Sequence, residues 1–110
     1  EYPIEHKIAG KALASQNEFN SESDIIMSRK PFVSFFSSSR FKGPNIPYTT
    51  PENVLRFARS QRVKYIVIDE RFLGVRENYK ELLFLDRFSD DVDVVFEDNS
   101  ISPIKVFRIK

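Results

Sequence analysis

At 110 residues, 41% hydrophobic and 30% charged, the chain has the composition of one globular domain and is too short for two. Seventeen basic residues face 16 acidic ones for a net charge of +1, so no whole-domain field draws in nucleic acid, and no nucleic-acid partner is expected. Without cysteine there is no disulfide, thiolate nucleophile or zinc-thiolate site, and with one histidine there is no multi-histidine metal site.

No stretch approaches the roughly 20 apolar residues that cross a bilayer. The chain opens Glu1-Tyr2-Pro3, with neither an apolar leader nor an initiator Met, and is expected to be a segment of a longer protein.

In chain order, Pro3 to about Gln16 reads as a helix. Ile4, Ile8 and Ala12, widened by Ala9 and Leu13, form its apolar stripe, with Glu5, Lys7 and Lys11 on the wet side. Gly10 weakens it slightly. A polar loop over residues 17–23 leads into a buried strand, Asp24 to Ser28, which Pro31 ends. Pro31 also suits a first helical turn, so residues 32–36 read as a short apolar helix, with a strand as the alternative. A short irregular strand and loop are expected from Arg40 to Tyr48.

The clearest local signal follows. Thr50 can cap a helix that has Pro51 at its first position and Glu52 near the positive end of the dipole. Its inner stripe is Val54, Phe57 and Ala58, with Leu55 beside it. Val63 to Asp69 is the best strand, with a continuous apolar run as expected under helices on both faces. Glu77 to Leu85 suggests another helix, with Tyr79, Leu82, Leu83 and Phe84 inward. Val92–Glu97 and Ile104–Ile109 are the last strands, joined as an antiparallel hairpin. The alternation predicts a three-layer α/β fold: a mostly parallel sheet of about five strands, helices on both faces and an antiparallel C-terminal hairpin.

Ligands of open α/β sheets bind beyond the carboxyl ends of the strands, where Ser28-Arg29-Lys30 and Asp69-Glu70-Arg71 fall. One reading is a small-anion or sugar-phosphate site with Arg29 and Arg71 as forks, Lys30 beside them and Asp69 orienting them. The other is a structural Arg29–Asp69 ion pair tying two strand ends together. The three glycines are isolated, so no phosphate-cradling loop is present. His6, beside Lys7 on the first helix, reads as a surface histidine rather than a general base. No carboxylate pair stands out for acid–base or metal chemistry. Phe32, Phe35, Phe36 and Phe41 interleave with Arg29, Lys30, Arg40 and Lys42. That pattern fits core rings with a cationic rim better than a nucleic-acid platform or a membrane-surface foot.

Taken together, the motifs resemble a known group. An amphipathic helix leads to a strand running into Met27-Ser28-Arg29-Lys30-Pro31-Phe32. Pro47-Tyr48 then precedes the Pro51-Glu52-Asn53-Val54-Leu55 helix, and Val63 to Arg71 follows. This set, covering about Tyr2 to Ile109, is similar to the soluble C-terminal domain of bacterial multi-spanning glycosyltransferases. The group is the dolichyl-phosphate-mannose-protein mannosyltransferase-like one, glycosyltransferase family 39 and its relatives.

The resemblance implies a parent in the bacterial cytoplasmic membrane that takes sugar from a polyprenyl-phosphate donor, with this domain on the extracytoplasmic side. The group's catalytic acids lie in its membrane portion, so no catalytic residue, metal or cofactor is expected here. The domain would be a non-catalytic accessory that contacts the membrane-embedded remainder and aids recognition of a glycan or protein acceptor, or assembly. The residues themselves leave two alternatives open: a small-anion binding module and a protein-interaction domain.

Overall fold

The computed structural model describes residues 3–40, 43–71 and 77–110. Its elements are α1 (Ile4–Ala14), β1 (Ile25–Met27), α2 (Phe32–Phe36), α3 (Pro51–Ser60), β2 (Val63–Asp69), a 3₁₀ segment (Glu77–Arg87), β3 (Val92–Asp98) and β4 (Ile104–Ile109).

The α/β character and the C-terminal hairpin are as expected. The sheet is not: it has four strands in the order β1-β2-β4-β3, and only the β1–β2 pair is parallel. The last strand inserts beside β2, with Ile66 opposite Phe107 and Val67 opposite Val106. Side-chain chemistry explains that placement. β4 buries Ile104, Val106 and Phe107 completely, whereas β3 carries Asp93, Glu97 and Asp98 and suits an edge, where charges discourage further pairing. Of the expected strand over residues 40–48, Phe41 and Lys42 lie outside the described residues, and residues 43–48 form no strand. Pro44 and Pro47 lack a donor for a ladder; Pro44 instead offers its carbonyl to the Ser28 amide at 3.4 Å.

Alternation along β2 sorts the core onto two faces. Ile66 and Ile68 join Met27, Phe107 and the inward residues of α3 (Val54, Leu55, Ala58) and the 3₁₀ segment (Leu82, Leu85). Tyr65 and Val67 join Ile26, Val106, Val33 of α2 and Ala9 and Leu13 of α1. The three-layer arrangement therefore holds: α1 and α2 cover one face, α3 and the 3₁₀ segment the other.

α3 forms where its signals place it, with the Thr50 hydroxyl accepting from the Asn53 amide at 3.3 Å and Pro51 in the first turn. The segment from Glu77 is 3₁₀ rather than α-helical and is kinked at Phe84, whose ring is 40% exposed, contrary to its expected inward position. The Tyr79 side chain lies outside the described residues. Along α1 the buried face is also different. Glu5, His6, Ala9, Gly10 and Leu13 point inward, while Ile4 is 55% exposed. Gly10 is needed on that face: a Cβ there would stand 2.5 Å from Cβ of Phe36, so the glycine lets α2 lie against α1.

Candidate functional site

Because Tyr65 and Val67 face α1, the alternation carries Asp69 to the same side. His6 shares a helical stripe with Ala9 and Leu13, so the two side chains meet where α1 crosses the carboxyl end of β2. His6 Nε2 donates to Asp69 Oδ2 at 2.8 Å, and the two residues are 1% and 3% exposed. The imidazole edge also packs against Phe32 of α2, with centroids 5.7 Å apart at 84°. His6 is therefore a core histidine, not the surface one expected.

Beside this pair, Arg71 donates from Nε to Glu5 Oε2 at 2.5 Å and from Nη2 to Oε1 at 3.2 Å. Such a two-pronged guanidinium–carboxylate contact fixes orientation as well as adding energy. Glu5 is 1% exposed, so the expectation that it lies on the wet side of α1 is overturned. Burial pushes its carboxyl up, but the hydrogen bonds from Arg71 and from its own backbone, with the nearby positive charge, outweigh this and hold it below its ordinary value.

Glu5, His6 and Asp69 offer ligand atoms within 4.8 Å of one another, the donor types of a metal centre. Their arrangement serves another purpose: Arg71 already engages both oxygens of Glu5, and burial closes His6 and Asp69 to solutes. The same enclosure removes His6 from general-base work, since no substrate atom reaches it from solvent.

Asp69 and Arg71 thus belong to a clamp between α1 and the end of β2, with Asp69 buried against His6 as its hydrogen-bond partner and Arg71 part-exposed over Glu5. Arg29 and Lys30 line a cleft of about 190 Å³ at the carboxyl end of β1. Ser28, Ser34, Gly43 and Asn45 also line the cleft. With its amide nitrogen turned inward, Asn45 donates to the Ser28 and Arg29 carbonyls, each at 3.0 Å, and fastens the 43–45 segment across β1. Gly43 makes that approach possible, because a Cβ would fall 1.6 Å from the Ile26 carbonyl oxygen.

The clamp residues Glu5 and His6 escaped sequence reasoning because polar side chains were assigned to the wet face of α1. The spacing of His6 with Ala9 and Leu13 is the signal that could have placed it. Of the interleaved phenylalanines, Phe35 is 74% exposed and so is not core, while Phe32 and Phe36 are half-buried. Among the described residues, no helix is long and apolar enough to cross a membrane.

Compared with known proteins, the chain matches no protein-family model, no curated protein and no solved structure.

Proposed function

We propose that this chain is a non-catalytic accessory domain of a polyprenyl-phosphate-sugar-dependent membrane glycosyltransferase of the mannosyltransferase-like group. Its place is the extracytoplasmic side, against the membrane-embedded part of the same protein. The observation that carries the reading is the clamp. Glu5, His6 and Asp69, which converge at the end of β2, are buried in contacts that bolt α1 to the sheet, with the part-exposed Arg71 closing over Glu5 from outside. A helix fixed in this way transmits the orientation of whatever precedes it to the whole domain, which is a mechanical role. Further support comes from Ile4 and Phe35, large apolar side chains exposed on the α1–α2 layer, with the exposed Lys7, Lys11 and Lys30 on the same two elements and the turn before α2. Apolar anchors among cations suit a surface apposed to membrane and membrane-embedded protein.

The test is sugar transfer from a polyprenyl-phosphate donor, measured in membranes carrying the full-length protein. Deleting residues 3–110 lowers transfer at equal protein level, and the purified domain alone transfers none. Transfer by the isolated domain would overturn the non-catalytic assignment. Full transfer after the deletion would overturn the accessory role.

A further inference from the structure

The cleft beside β1 has a lining that selects the sign of its ligand. Arg29 and Lys30 supply two positive charges, Ser28, Ser34 and Asn45 are polar, and none of the lining residues is acidic. Its volume of about 190 Å³ lies below the roughly 300–1,000 Å³ of sites for drug-sized molecules, so it suits one compact group.

Two hydroxyls line it, with different commitments. Ser28, 8% exposed, donates to the Lys30 carbonyl at 2.6 Å and so shapes the wall. Ser34 is 9% exposed and lines the cleft, where its hydroxyl can donate to a ligand oxygen. The Arg29 guanidinium reaches inward far enough that Nη1 has no contact with solvent. A partly desolvated guanidinium attracts an oxyanion more strongly than the same group in open water, and the exposed Lys30 ammonium at the cleft adds a second positive charge.

We infer that this cleft binds a phosphate monoester, with Arg29 and Lys30 balancing its charge and the Ser34 hydroxyl donating to one of its oxygens. The inference rests on the cleft alone and stands independently of the sugar-transfer reading. The phosphate can come from a soluble metabolite or from a lipid headgroup; the chemistry at the cleft is the same.

The experiment is a titration of the ¹⁵N-labelled chain with glycerol 3-phosphate, followed by amide shifts, and a parallel flotation assay with vesicles containing phosphatidic acid. The expected result is saturable shifts centred on Ser28, Arg29, Lys30, Ser34 and Asn45. Lys30→Gln weakens binding about tenfold or more, as loss of a charge-assisted hydrogen bond requires, and Ser34→Ala weakens it about three- to tenfold. Lys110→Gln, remote in sequence and exposed just beyond the end of β4, leaves affinity unchanged. Amide spectra of each variant without ligand establish that the fold is kept. Saturable binding of the soluble ester supports a metabolite. Vesicle binding alone, lost in both K30Q and S34A, supports a headgroup. Absence of binding in both arms overturns the inference. So does binding that S34A leaves unchanged, or shifts that spread without saturating over the basic surface.

Discussion

The His6–Asp69 contact joins residues 63 positions apart, so its energetic worth can be measured as a coupling between α1 and β2. Replacing His6 by Leu keeps bulk against Phe32 but leaves the Asp69 carboxylate buried without its donor, a loss of about 3–5 kcal/mol for a stranded charge. Replacing Asp69 by Ala leaves an imidazole N–H without its acceptor, which costs about 1–3 kcal/mol. The double variant strands neither group. Its loss should therefore fall short of the sum of the single losses by roughly 2 kcal/mol, inside the range known for residues in direct contact. Urea denaturation at neutral pH, followed by circular dichroism, gives all four stabilities. With an m-value of about 1.5 kcal/mol/M, a loss of about 3 kcal/mol moves the midpoint by roughly 2 M. Losses that add to within about 0.5 kcal/mol would refute the reasoning, because they would mean that each side chain is solvated without the other.

Three further outcomes follow from the same geometry. Glu5 has a folded value below its ordinary 4.5, so its stabilising contribution is complete above that pH and is lost as pH falls through the lower folded value. Glu5→Gln should accordingly be less stable than the natural chain at pH 7, with the gap closing in acid; a gap that stays constant down to pH 3 contradicts the clamp. The Tyr65 hydroxyl is buried without a hydrogen-bond partner among the described residues, and burial, followed by the charge of Asp24, pushes its phenol up. Tyr65→Phe should therefore be neutral or stabilise by about 1 kcal/mol in the urea assay, and a loss above about 1 kcal/mol refutes the reading. Gly43→Ala places a Cβ 1.6 Å from the Ile26 carbonyl oxygen, which only backbone movement relieves. It should lower stability by about 1–3 kcal/mol and open the cleft, whereas an unchanged urea midpoint would mean that the 43–45 segment does not lie on β1.

Much of this was legible in the sequence where local chemistry and burial agree. Thr50-Pro51-Glu52 marks the start of α3 because capping, fixed φ and dipole all act within four residues. Val63 to Asp69 reads as a central strand because both of its faces are buried. Strand order was not legible. The alternation of helices and strands is satisfied equally by a parallel sheet and by one that receives β4 between β2 and β3. Only the comparison of Ile104, Val106 and Phe107 with the acidic β3 decides which strand takes the inner place.

The face of α1 was hidden for a different reason. A hydrophobic stripe assumes that polar residues face water, yet Glu5 and His6 are buried against Arg71 and Asp69, partners more than 60 positions away. The site was half visible. Strand-end logic found Arg29, Lys30, Asp69 and Arg71, but the pairing of Asp69 depends on the helix above it. The cleft depends on the return of Gly43 and Asn45 over β1, and neither is encoded in spacing.

The central claim is that this domain serves an integral membrane enzyme. Its most direct test is fractionation of the native full-length protein with an antibody against the domain. Retention in membranes after an alkaline carbonate wash, with the domain digested by protease added from the extracytoplasmic side, is the predicted result. Recovery in the soluble fraction at the size of the domain itself would contradict the account.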